Sequence, residues 1–280
     1  MKTFISLSAL FLSLTLTAQT NTATWYLNDA SGNGIQSPSS TASGSYSTAM
    51  GQLSEASGDY STAMGYYTTA SGDFSTASGE GTTASGMIST AMGAGTTANG
   101  MFSTAMGYFI TASDRSSLII GQHNLLGSTV TNSATDFSLE NTAFVIGNGT
   151  NSANRSDALV VKFNGDATLA GNLNINSDAR LKSNIISLGA TLSKLLQIDG
   201  KSYTMKKDES EKQKIGLLAQ DIEKVFPELV SESHGVKSVN YQGLVPVLIN
   251  ALKEQQEEID RLKTQEERLD RLERLVAAMD

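Results

Sequence analysis

Cysteine is absent from this 280-residue chain, proline occurs three times, histidine twice and tryptophan once. The missing thiols exclude a disulfide scaffold, thiol catalysis, zinc held by cysteines and a lipidated N-terminal cysteine. His123 and His234 lie far apart in the sequence, so no metal site is expected, and no cofactor either. Basic residues are scarce over most of the chain: of 20 Lys and Arg, only Lys2, Arg115, Arg155 and Lys162 precede residue 177. A net charge of −8 without a basic stripe excludes a nucleic-acid partner and serves solubility. Long apolar runs are confined to the start. Met1-Lys2 opens a short basic region, residues 4–16 form an apolar stretch of signal-sequence length, and the small residues Thr17-Ala18 precede Gln19. Residues 1–18 therefore read as a signal peptide cleaved after Ala18, and the protein as exported, extracellular or at the cell surface. That stretch is too short for a standard transmembrane helix. No later segment is apolar enough to span, so the mature chain is expected to have no membrane-spanning segment.

The middle of the chain repeats every seven residues. Alanine stands at positions 42, 49, 56, 63, 70, 77, 84, 91, 98, 105 and 112, and glycine follows two residues later from Gly44 to Gly107, until Asp114 breaks the series. The residue after alanine tends to alternate between Ser and Met, which makes the full unit 14 residues long. Coiled-coil heptads need two bulky apolar seams, and this repeat has none. Glycine at every seventh position would cost a helix about 1 kcal/mol each. The pattern predicts a β-solenoid with a short strand and a glycine turn per heptad, and two strands per coil. Alanine suits a narrow interior, and glycine supplies the backbone angles of tight turns. Met50, Met64, Met92 and Met106, with Tyr46, Tyr60, Tyr67, Phe74, Phe102 and Phe109, are expected in rows along the roll. Such rows either pack chain against chain or form an adhesive surface. At these residues the segment resembles the head repeats of trimeric autotransporter adhesins, built on Ala-x-Gly-x-x-Ser-x units. The resemblance implies a trimeric, left-handed parallel β-roll with adhesion as its role.

From 117 to 176 the repeat gives way to short β-like runs, among them Leu118-Ile119-Ile120-Gly121 and Ala143-Phe144-Val145-Ile146-Gly147. Asn164-Gly165 between two such runs is a strong hairpin signal. We read this stretch as a β-rich stalk or neck.

Composition changes at Ser177-Asp178-Ala179-Arg180-Leu181-Lys182. A serine and a neutral lysine suffice for nucleophilic catalysis, because burial lowers a lysine pKa until the amine can take the serine proton. The spacing alone favours another reading, in which Ser177 or Asp178 caps a helix that exposes Arg180 and Lys182. Downstream come Lys214-Ile215-Gly216-Leu217-Leu218-Ala219-Gln220-Asp221-Ile222, then Ser238-Val239-Asn240-Tyr241, then Gly243-Leu244-Val245-Pro246-Val247-Leu248-Ile249-Asn250-Ala251-Leu252-Lys253-Glu254. With Ser177 to Lys182, these motifs resemble the intramolecular chaperone domain of endosialidases and phage tail fibres, found also in the myelin regulatory factor. The resemblance implies a domain that trimerises, guides assembly of the β-fibre ahead of it and then cuts itself off. Its dyad falls on Ser177 and Lys182, and Asp178 and Arg180 match the motif as residues that orient the dyad or hold the trimer.

Ring size favours the Asn176–Ser177 bond: the Ser177 hydroxyl reaches the carbonyl of Asn176 through a five-membered ring. The Ser177–Asp178 bond is the alternative, through a strained four-membered ring. Backbone amides are expected as oxyanion donors.

Further expectations are a helix within residues 181–196 presenting Leu188, Leu192, Leu195 and Leu196, a strand over 215–219, and a short helix over 221–226 capped by Asp221. A hairpin is expected about His234-Gly235, and a charged C-terminal helix forming a three-stranded coiled coil with a shifted heptad frame near Gln265-Glu266. The organisation is then a signal peptide (1–18), an N-terminal segment (19–39), β-roll repeats (40–116), a β stalk (117–176), an α+β chaperone domain (177–243) and a C-terminal helix (244–280). Two functional accounts follow. One is a secreted homotrimeric surface fibre, adhesin-like, with a surface or matrix ligand that the sequence does not name. Its C-terminal domain would act once, on itself, as a serine peptidase. The other is a structural or matrix fibre that keeps the domain as a trimerisation clamp.

Overall fold

Fourteen residues make one coil: a five-residue strand, a turn, a two-residue strand and a second turn. The computed structural model describes residues 26–27, 34–126, 134–206 and 211–279, and the expected signal peptide, 1–18, lies outside them. Long strands such as Thr48–Gln52, Thr62–Tyr66 and Thr76–Glu80 pair in parallel with a register of fourteen, so that Ala49 lies beside Ala63 and Ala63 beside Ala77. Short strands from Thr41–Ala42 to Thr111–Ala112 stack in the same way into a second sheet of six. The two sheets face each other across an interior lined by alanine, and every alanine of the heptad series from Ala42 to Ala112 is fully buried. Serine or threonine fills the other inward column, as at Ser47, Ser61 and Thr68. This is the β-solenoid expected from the period.

The glycines play a different part from the one expected. They are the places where successive coils nearly touch. A methyl carbon added at Gly65 would stand 2.0 Å from the carbonyl oxygen of Gly79, and one at Gly58 would stand 2.2 Å from that of Gly72. No side chain fits there. Gly65 also has φ +128°, inside a strand rather than a turn. In one turn of every coil, the left-handed position is held instead by a bulky residue: Tyr46, Tyr60, Phe74, Ile88 and Phe102 have φ between 56° and 62°. Such residues rarely adopt this conformation. From Tyr60 onward it is secured by a hydrogen bond from the residue's amide to the turn carbonyl of the coil before, such as Tyr60 N–H to Ser45 O at 2.7 Å and Phe74 N–H to Asp59 O at 2.8 Å. Ring stacking adds to it: Tyr46, Tyr60 and Phe74 form a ladder with centroids 5.1 and 4.9 Å apart. The ladder lies on the outside, with Tyr60 52% exposed.

Side chains close both ends of the short-strand sheet. At the first strand Gln36 Oε1 accepts the Ala42 N–H at 2.8 Å. At the last, the Asn124 amide replaces a neighbouring strand, accepting from Thr111 N–H at 2.8 Å and donating to Thr111 O at 3.0 Å. Asp114 occupies the glycine column where no further short strand follows, and its carboxylate accepts the Thr142 N–H at 2.7 Å. Only the long-strand sheet continues, through Leu118–Gln122 and Thr142–Asn148 and then antiparallel through Asp157–Lys162 and Ala167–Leu169. The last two flank Asn164-Gly165 as expected.

The chain divides into two compact units at Asn174/Ile175. The second is α+β with a small core of Ile222, Phe226 and Val247, against which Leu195, Leu217, Leu229 and Val239 pack. Its helices are α1 (Leu192–Leu195), α2 (Ala219–Val225) and α3 (Leu244–Ala277). The hairpin of Val230–Ser233 and Val236–Val239 turns on His234 and Gly235, both at positive φ. The helix expected within 181–196 is α1 alone, and of the four leucines expected on its face Leu188 lies outside it. Asn184 and Gly189 take left-handed angles, Ile185-Ile186 is β-branched, and residues 182–190 are all exposed, so no apolar stripe is buried to offset poor propensity. The expected strand over 215–219 is Lys214–Gly216, and α2 starts at Ala219 with Leu218 before it. Asp221 is therefore in the first turn, paired with Lys224 at 2.8 Å, and does not cap the helix.

Close approach between coils sets a testable cost. Gly65→Ala is expected to destabilise the protein by about 1–3 kcal/mol or more. Thermal unfolding should show it against Ser71→Ala at an exposed site; equal midpoints would refute the close-approach account.

Candidate functional site

The Asp178 carboxylate shapes the segment that opens the second unit. Asp178 Oδ1 accepts the Arg180 N–H at 2.9 Å and so caps a single 3₁₀ turn, Ala179–Leu181. The turn closes with Lys182 N–H donating to Ala179 O at 3.1 Å. Its tightness brings the residues at its two ends together: Lys182 Nζ donates to Ser177 Oγ at 2.7 Å. The capping reading and the dyad reading of this sequence are thus compatible, since the capped turn is what makes the two side chains meet.

Asp178 and Arg180 pair with each other. The guanidinium Nη2 stands 2.6 Å from Asp178 Oδ2, and Nε donates to both carboxylate oxygens at 3.1 Å. The side-chain bond from Arg180, then its backbone N–H, hold the Asp178 carboxyl below the usual carboxylate range, and the same pairing raises Arg180. A carboxylate depressed in this way supports the turn above its unfolded pKa and stops doing so only as pH falls through the lowered value. The turn therefore stays capped in mildly acidic solution.

Ser177, Lys182 and Asn176 are all exposed in the single chain. Among the described residues no group of three or more His, Asp or Glu side chains is placed to hold a metal ion, and no helix is long and apolar enough to cross a membrane.

Residues 177–231 match the chaperone of endosialidase. The match begins at Ser177 and takes in the capped turn, α1, α2 and the start of the hairpin. In the roll, residues 42–68, 70–87 and 89–109 match the YadA head domain repeat. The chain is also similar to the long tail fiber protein Gp37 of Salmonella phage S16, 30% identical over 109 residues. That alignment takes in 35% of this chain and spans only 15% of the tail fiber protein. The chain thus pairs adhesin-like head repeats with a chaperone domain of the tail-fibre kind.

Several polar contacts in the chaperone unit join residues far apart in the sequence, among them Leu217 N–H to Tyr241 Oη at 3.0 Å. Glu254 on α3 binds Thr191 and Leu192 at the start of α1. Residues so far apart carry no local signal.

Removing the cap tests the turn. Asp178→Ala leaves Ser177 and Lys182 in place but is expected to speed hydrogen exchange at the Arg180 and Lys182 amides several-fold. Exchange at the wild-type rate would mean that the turn forms without its cap.

Proposed function

We propose that this protein is an exported homotrimeric surface fibre, adhesin-like in its roll, whose C-terminal unit guides trimer assembly and then removes itself by cutting the Asn176–Ser177 bond. The observation that carries this reading is the 2.7 Å contact between Ser177 Oγ and Lys182 Nζ at the first residue of the chaperone match.

In the proposed step Lys182, as the neutral amine, accepts the proton of the Ser177 hydroxyl. The Oγ attacks the carbonyl carbon of Asn176, and backbone amides stabilise the oxyanion. The C–N bond breaks, its nitrogen takes the proton from Lys182, and an ester links Asn176 to Ser177 Oγ. Water then hydrolyses the ester, freeing a chain that ends at Asn176 and one that begins at Ser177. Covalent delivery of the scissile bond to its nucleophile supplies much of the rate. Because the bond cut is the chain's own, each copy reacts once.

Neutralising a lysine requires desolvation, and in the single chain Lys182 lies in solvent. Neighbouring copies would have to provide the burial, which makes cleavage follow assembly. The apolar surface of the unit supports such an assembly. Ile186 is 85% and Ile215 87% exposed, and α3 presents Leu248, Leu252, Ile259, Leu262, Leu269 and Leu272 uncovered. A solitary helix this polar, with its leucines in water, would be marginal, and a three-stranded coiled coil would cover those leucines. In the roll, Met92, Met106 and the aromatic rows are likewise exposed. The families that the two segments resemble are homotrimeric.

The exposed dyad also supports a second reading: a structural or matrix fibre that retains an uncleaved trimerisation clamp. Intact mass separates the two. Wild type is expected to split after Asn176, while Ser177→Ala and Lys182→Ala stay whole; a folded, trimeric wild type that stays whole leaves only the clamp. Sedimentation should give three copies for Ser177→Ala, and a single copy once Leu262→Glu and Leu269→Glu are added. A monomer before those changes would contradict the trimer.

A further inference from the structure

From residue 165 to residue 190 every side chain is exposed. The segment that holds Ser177 and Lys182 therefore has no apolar anchor of its own. Thr191, 1% exposed, is the first buried residue after it and the single buried polar residue among the described residues of the second unit. Its partner comes from α3. Glu254 Oε1 accepts the Thr191 N–H at 2.6 Å and the Thr191 hydroxyl at 3.0 Å, and Oε2 accepts the Leu192 N–H at 3.1 Å. One carboxylate thus satisfies three donors where α1 begins, and two of them are amides that the four-residue helix cannot pair by itself. The bonds from the Thr191 and Leu192 backbone hold the Glu254 carboxyl below the usual range, so the acceptor stays ionised at neutral pH.

Position within α3 gives this clip its meaning. Leu244, Val247 and Ala251 are the buried residues of the helix, and beyond Glu254 every described residue of it is exposed. Glu254 therefore stands at the boundary between the part of α3 that packs on its own chain and the part that has no cover. Whatever stabilises the uncovered part as a helix also holds Glu254 in place.

We propose that Glu254 is a positioning residue: it clips the chain onto α3 nine residues beyond the Ser177–Lys182 turn, at the first buried residue after it, so that placement of the dyad depends on the C-terminal helix being formed. The clip stands on its own geometry, and its consequence for cleavage rests on the self-cleavage reading. Under that reading the clip is the physical link by which helix assembly reaches the scissile bond. Thr191→Ser keeps all three donors and should preserve both clip and cleavage.

Glu254→Gln and, as a control for the lost charge, Glu257→Gln at an exposed neighbour test this in the mature chain. Hydrogen exchange, read in a Ser177→Ala background so that the chain stays whole, should show the Thr191 and Leu192 amides losing protection in Glu254→Gln. Amides of the Val230–Val239 hairpin should keep theirs, and Glu257→Gln should match its parent. With Ser177 restored, Glu254→Gln should cleave about 10- to 100-fold more slowly than wild type. Unchanged exchange at Thr191 and Leu192 would refute the clip. Lost protection with a wild-type cleavage rate would refute the positioning role. Loss of hairpin protection as well would reduce Glu254 to a residue needed for folding. A wild type that never cleaves removes the self-cleavage reading and the positioning role with it, while the exchange result still decides whether the clip exists.

Discussion

Successive coils of the roll are stacked so closely that, along two columns, backbone carbonyl oxygens occupy the space where a Cβ would be. The rest of the N-terminal unit follows from that spacing. Parallel pairing at a fixed fourteen-residue step leaves a narrow interior, filled by alanine, serine and threonine until Ile110 near its end. Apolar burial contributes in proportion to area, about 25 cal/mol per Å², and an alanine methyl offers little. The hydrogen-bond ladder and the outer rows of methionine and aromatic side chains must then do what a large core does elsewhere. Those outer rows are where this chain has material left for further contacts.

The C-terminal unit is under-filled in a different way. Its core is three fully buried residues and a ring of partly covered ones, yet it carries a 34-residue helix buried only near its start. A short self-contained core joined to a long uncovered helix suits a device that acts through association. In the trimer proposed above the head repeats would pose a problem of register, because every coil looks like the next and a slip of fourteen residues between copies would cost few specific contacts. A neighbouring unit that fixes which copies meet, and at what point, would answer that problem before the roll zips up.

Much of this organisation was legible because it is written at fixed intervals. Period seven with small residues excluded a coiled coil and gave the solenoid, the alanine column and the outward rows. His234-Gly235 and Asn164-Gly165 placed two hairpin turns through local backbone preference. The failures share a cause. Glycine was assigned to the turns because propensity describes one residue at a time, whereas here its need comes from the coil fourteen residues on. One turn of each coil went to tyrosine, phenylalanine or isoleucine, held by ladder bonds and in part by stacking, while the other turn keeps glycine at Gly81 and Gly95. Residues 181–196 carry leucines at helical spacing, but nothing is packed against them until Thr191, and spacing cannot show what lies opposite. Ser177 and Lys182 were found by motif; that Asp178 closes the turn between them is local enough to have been read from the sequence, and the reach of Glu254 to Thr191 was not.

Gln36, Asn124 and Asp114 have a consequence for how such a fibre changes over time. Each satisfies an end of the stack with its own side chain, and none of these side-chain bonds runs between interior coils. The number of coils between them is therefore not set by any contact. Duplication or loss of a fourteen-residue unit leaves both lids and every remaining interface as they were. Reach is then a quantity that recombination between near-identical repeats can adjust in equal steps, without redesigning the ends.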